Sequence, residues 1–131
     1  MNHAALNQYK SVGVQSGLTD ASPHQLITML LDGALDRVAC ARGAIERSEV
    51  ARKGELLGSA IAIIDSMRAS LDYDKGGEIS VNLGRLYDYV ERRLVEANAT
   101  ANTAVLDEAS SLLREIKAGW VAIPADMRRA R

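Results

Sequence analysis

Phenylalanine is absent from this 131-residue chain, and its only aromatic rings belong to four tyrosines and one tryptophan. Aromatic side chains bring the largest single increments of buried area, so Leu, Ile, Val and Ala must do the packing. A single cysteine, Cys40, excludes an internal disulfide. Its place in an apolar-rich helical run suggests an inert, buried thiol in a reducing compartment. Neither sign of charge dominates: the net charge is −1 and the pI about 6.1, which leaves no basic field of the kind nucleic-acid binding needs. Arg128, Arg129 and Arg131 make a short basic tail of the sort that is usually solvated. No apolar run approaches the ~20 residues of a membrane span, and the polar opening MNHAALNQYKSVG has no signal-peptide core. The protein is therefore expected in the cytoplasm, with no membrane insertion.

What is present is helical periodicity. Nearly half of the residues are apolar and a quarter are charged, the balance of a globular domain, and the length fits one domain. Ser22-Pro23-His24-Gln25 reads as a helix start, with Ser22 as cap, Pro23 in the first turn and Gln25 as capping-box partner. Leu26, Ile27, Leu30, Leu31, Ala34, Val38, Ala41 and Ile45 then recur at three- and four-residue steps, predicting a helix over about 23–46. Leu56, Leu57, Ala60, Ile63, Ile64, Met67 and Leu71 predict a second over about 49–72. Asp72 to Gly77 reads as a loop with paired glycines. Ile79, Leu83, Leu86, Tyr87, Val90, Leu94 and Ala97 mark a third helix over about 79–100. After a cap at Asn102, Val105, Leu106, Ala109, Leu112, Leu113, Ile116 and Trp120 mark a fourth over about 103–122, which Pro124 stops. Four amphipathic helices on short connections favour an all-α, antiparallel up-down four-helix bundle over 20–123. A loosely ordered segment, 1–19, precedes it, and a tail, 124–131, follows.

Reactive chemistry finds little footing. His3 lies in the loose opening and His24 in a first turn, where a surface position is expected; two isolated histidines without Cys or carboxylates at ligand spacing make no metal site. The Asp72–Gly77 loop is spaced like the start of a calcium loop, but its twelfth position, where a bidentate Glu belongs, is Leu83. Neither GxGxxG nor a Gly-Lys-Ser/Thr ending occurs. A phosphotransfer domain needs a histidine midway along a helix, and an all-helical mutase needs several inward basic residues where only Arg37 comes near a stripe. No cofactor and no catalysis are expected. Asp88, Glu91 and Glu96 alternate with Arg85, Arg92 and Arg93 as on a solvated face.

An apolar surplus remains. Ile61 sits ~100° from the centre of its stripe, and Val81, Tyr89 and Val95 fall outside the stripe of the third helix. Such residues line a binding groove, pack at the bundle rim or form a homodimer contact, and periodicity alone does not choose among these.

The residues from Tyr9 to Trp120 resemble the flagellin-specific export chaperones, the FliS family. The likeness rests on Ala21-Ser22-Pro23-His24-Gln25-Leu26-Ile27 leading into Met29-Leu30 and Asp32-Gly33-Ala34, and on Lys75-Gly76-Gly77-Glu78-Ile79. It continues in Leu86-Tyr87-Asp88-Tyr89-Val90, Arg92-Arg93-Leu94 and Glu96-Ala97-Asn98. The chain departs from the pattern at Leu31, where an aromatic residue is usual. The resemblance implies a non-enzymatic bundle that captures the C-terminal segment of flagellin, prevents its premature polymerisation and presents it to the type III export apparatus, with an export gate component as a further partner. It also implies that Ile61, Val81, Tyr87, Tyr89 and Val95 line flagellin-contacting surface with Arg93 at its rim, and that the opening segment is a lid whose Tyr9 occupies the groove. The alternative is a structural homodimer or regulatory adaptor without flagellin binding.

Overall fold

The computed structural model describes residues 21–124, which form four helices: α1 (Pro23–Glu46), α2 (Val50–Ala69), α3 (Tyr73–Thr100) and α4 (Thr103–Val121). Among the described residues there is no strand. Each helix packs on its sequence neighbours and α4 returns to α1, so the four close into an antiparallel bundle.

Local chemistry sets the ends. Ser22 Oγ accepts the backbone N–H of Gln25 at 3.1 Å while Gln25 Oε1 accepts that of Ser22 at 2.8 Å, the reciprocal capping box, with Pro23 just inside. Between α1 and α2 the chain turns through Ser48 at φ 57°. Asn102 caps α4 by accepting the N–H of Ala104 at 3.0 Å.

The third helix differs from expectation. A helical turn already forms at Tyr73 because Asp72 Oδ1 accepts the N–H of Lys75 at 3.0 Å. The break falls at Gly77, whose φ 53°, ψ −127° lies in a region open essentially to glycine. The segment read as a loop is thus one capped turn set at an angle to the long helix, with Ser80 Oγ–H donating to the Asp72 carbonyl at 3.0 Å across the kink.

The core is aliphatic. Leu30, Leu31, Leu57, Ile63, Leu94 and Leu106 are fully enclosed, and Ala34, Ala41, Ala60, Ala97 and Ala109 are fully buried between them. Alternating large and small side chains lets the helices approach closely and interdigitate. Leu31, the departure from the family pattern, is 0% exposed and packs without an aromatic ring.

Two expectations are corrected. Cys40 is exposed, because it lies off the stripe formed by Val38 and Ala41, on the outer face with Asp36. His24 is buried: its ring stacks on Trp120 with centroids 4.6 Å apart and planes 10° from parallel. The His24 Nε2–H donates to the Trp120 carbonyl at 2.7 Å, and the Trp120 indole N–H donates to the His24 carbonyl at 2.9 Å. A carbonyl only accepts, so Nε2 carries the proton. This reciprocal clamp joins the first turn of α1 to the last turn of α4. Farther along the same seam, Lys117 pairs with Asp32 at 2.6 Å and Arg42 with Asp107 at 2.8 Å.

One carboxyl is held in an uncomfortable place. Glu91, on α3, is buried against α2, and burial pushes its pKa up to about 7 despite the opposing pull of Arg68, 3.4 Å away; Asp65 and Asp88 push the same way as burial.

Two outcomes follow from this packing. Trp120→Ala should lower the unfolding free energy by roughly 3–5 kcal/mol, whereas His24→Phe, which keeps a ring but removes one hydrogen bond, should cost about 1 kcal/mol, both read by urea denaturation. Glu91 binds its proton more tightly folded than unfolded, so its stabilising contribution is full below the unfolded value of about 4.3 and is lost as pH rises through about 7. The melting-temperature advantage of the wild type over Glu91→Gln should therefore shrink between pH 5 and pH 8, and a constant difference would contradict this account.

Candidate functional site

Helix α3 has two flanks, and the ion pairs say which neighbour each one faces. On one flank, Val81, Asp88 and Val95 stand at seven-residue intervals, and Asp88 accepts from Arg68 of α2 at 3.2 Å. On the other, Ile79, Leu86 and Arg93 share the same spacing, and Arg93 Nε donates to Glu108 of α4 at 2.7 Å. Residues two helical turns apart lie nearly in line, so the first set borders α2 and the second borders α4. Ile61, one heptad before Arg68, faces the α3 side of α2.

The six residues expected to line one groove are thus divided. Val81 and Val95 are exposed on the α2 flank of α3, and Ile61, partly buried, is level with Val95 in the antiparallel register set by Arg68 and Asp88. Tyr89 and Arg93 belong to the α3–α4 seam, where both hold Glu108: the Tyr89 hydroxyl donates to Oε2 at 3.0 Å. The hydrogen bond from Arg93, then that from Tyr89, holds the Glu108 carboxyl below the usual range. Arg93 also pairs with Glu96 at 2.6 Å. Tyr87, only 1% exposed, packs inside the bundle rather than lining open surface, because it follows Ser80 by one heptad on the inward line of α3. Tyr9 lies outside the described residues.

The residues that do enclose a concavity sit lower on the α3–α4 seam. A trough of about 570 Å³ runs between the first turns of α3 and the last turns of α4. Ile79, Leu83 and Leu86 form one wall, Leu112 and Ile116 the other, and Trp120 with Ile123 closes the floor near the His24 clamp. Ile79 is 70% exposed and Leu86 38%, although both continue the apolar stripe of their helix. Lys75 and Gly76, on the turn before Gly77, form the mouth, so the kink sets where the trough opens.

Nothing in this arrangement is reactive. Among the described residues no three His, Cys, Asp or Glu side chains are grouped to hold a metal ion, and no helix is long and apolar enough to cross a membrane. A long apolar channel open along one side suits the apolar face of a helical segment, with side chains at i, i+3, i+4 and i+7 entering it.

A family model described as "Flagellar protein FliS" matches residues 5–127. The chain is 50% identical over 119 residues to the flagellar secretion chaperone FliSB of Pseudomonas aeruginosa, covering 91% of this chain and 94% of that protein. It is 45% identical over 121 residues to the flagellar secretion chaperone FliS of Salmonella typhimurium, covering 92% and 90%. The corresponding protein of Bacillus subtilis is 34% identical over 106 residues, covering 81% and 78%.

The mouth of the trough depends on a backbone conformation more than on contacts. Gly77→Ala should cost about 1–3 kcal/mol from strain alone, since no atom lies within 4 Å of the added methyl group. Gly54→Ala and Gly58→Ala on α2, with equally open surroundings, should be neutral or stabilising by up to ~1 kcal/mol. Equal effects at all three positions in chemical denaturation would contradict the strain argument.

Proposed function

The chain belongs to the FliS family of flagellar secretion chaperones, a non-enzymatic role, and from that premise we propose that its trough holds the C-terminal segment of flagellin. In this reading the protein works in the cytoplasm, keeps that segment from polymerising, and delivers it to the flagellar type III export apparatus, where an export gate component receives the complex. The observation that carries the proposal is the open apolar channel formed by Ile79, Leu83, Leu86, Leu112 and Ile116.

Physical considerations favour such an occupant. An amphipathic segment loose in solution exposes an apolar stripe that associates with other copies of itself, and a channel that covers the stripe removes that option. From Leu86 to Ile79 the α3 wall spans roughly 10 Å at 1.5 Å per residue, about two turns of a bound helix, and the turn carrying Lys75 extends the channel beyond the Gly77 kink. A segment that orders as it binds spends about 2–5 kcal/mol of its interaction energy on that ordering, which keeps release feasible at the export apparatus. The second apolar flank, with Ile61, Val81 and Val95, offers a continuation of the contact onto α2 and α3, and Tyr89 and Arg93 lie farther along the same α3–α4 seam as the channel.

The test is binding of a flagellin C-terminal fragment by titration calorimetry. Each substitution Ile79→Asp and Leu86→Asp should weaken binding ~10-fold or more, given about 1.5–3 kcal/mol for covering an aliphatic side chain, with little change in melting temperature because both side chains are exposed. Val81→Asp and Val95→Asp should have smaller effects if the flank is a continuation rather than the main site. Absence of binding by the wild type at micromolar concentration, or indifference to both trough substitutions, would refute the assignment.

A further inference from the structure

Most charged side chains on α3 are already engaged: Asp88, Glu91, Arg92, Arg93 and Glu96 all take part in ion pairs. The trough departs from this pattern. Among the described residues its only charged lining side chains are those of Lys75 and Glu115, and neither has an ion-pair or hydrogen-bond partner there. They carry opposite signs and stand at different depths. Glu108 meets Tyr89 and Arg93 across the seam. The helices run antiparallel, so Glu115, one heptad further along α4, lies on the same face and level with α3 residues around 84. The straight part of α3 from residue 84 back to Glu78 covers ~9 Å, and Lys75 lies beyond it, at the mouth, on the turn set off by the Gly77 kink.

We propose that Lys75 and Glu115 orient the helix that enters the trough, selecting an amphipathic segment with an acidic group at the mouth and a basic group two to three turns inward. This inference rests on the trough being the docking site for the flagellin tail and adds to it the charge pattern and direction of the bound segment. An apolar channel by itself is nearly indifferent to the direction in which a helix lies, because a stripe at i, i+3, i+4 and i+7 fits much the same groove from either end. Two opposite charges beside an otherwise apolar lining remove that degeneracy. A segment laid the wrong way brings like charges together at both places, next to low-polarity walls where repulsion is less screened than in open water.

The probe is a synthetic helical 14-residue peptide with one apolar stripe, a Glu near its N-terminus, a Lys about nine residues later, and a nitroxide label at the N-terminal end. Bound to the wild type, the label should broaden the amide signals of Gly76 and Ile79 more than those of Leu86 and Leu112. K75E and E115K should each weaken the peptide about fivefold at low salt, and the loss should fade in 1 M salt. The double variant K75E/E115K should recover affinity and move the broadening to Leu86 and Leu112. Both positions are exposed, so melting temperatures should stay within a few degrees. Equal affinity across all four proteins, or equal broadening at both ends, overturns the charge proposal while leaving the trough assignment standing if a flagellin C-terminal fragment still competes with the peptide. Failure of both peptide and flagellin fragment to bind the wild type overturns the two together.

Discussion

The bundle depends on how its first and last helices are joined. Three of the four seams follow from connections of two or three residues, which leave consecutive helices nowhere to go but side by side. The fourth, between α1 and α4, has no covalent link and must be made by side chains. His24 and Trp120 make it at one end through a stacked pair of rings and two hydrogen bonds between residues 96 positions apart. Each ring satisfies the other residue's carbonyl, so neither polar group is buried without a partner. Exposed ion pairs farther along add register more than energy, while the alanine-lined core lets the helices come close enough for the clamp to form.

The same closure produces the site. Trp120 takes part in the clamp at one face and forms the trough floor at the other, and the first turn of α3 is turned aside at Gly77. Ile79 and Leu86, on the apolar stripe of α3, are left facing an open channel. The open surface in this architecture comes from incomplete burial of the stripe residues Ile79 and Leu86.

Much of the fold was readable in the sequence, because caps and periodicity act locally. Ser22 with Gln25, and Asn102, perform the capping roles their chemistry suggests, and most of the stripe residues of α1 and α2 are buried. What periodicity does not carry is the rotation of a helix about its own axis relative to two neighbours. Val81 and Tyr89 are both off the stripe of α3, yet one is on the α2 flank and the other on the α4 flank; the ion pair of Arg68 with Asp88, one heptad after Val81, and the hydrogen bond of Tyr89 to Glu108 distinguish them. Ile79, Leu83 and Leu86 read as ordinary core because periodicity places them on the stripe without revealing how far the neighbouring helices cover it. His24 reads as a surface residue because its partner is 96 positions away, and Cys40 as buried because its neighbours, though apolar, point elsewhere.

Having one tryptophan, and having it where it is, gives the protein an optical gauge of its own occupancy. Trp120 is 7% exposed, stacked on an imidazole on one side and bordering the channel on the other. Its fluorescence arises from a single place in the molecule, so any guest that displaces water from the channel floor alters the emission of the whole protein with no dye attached.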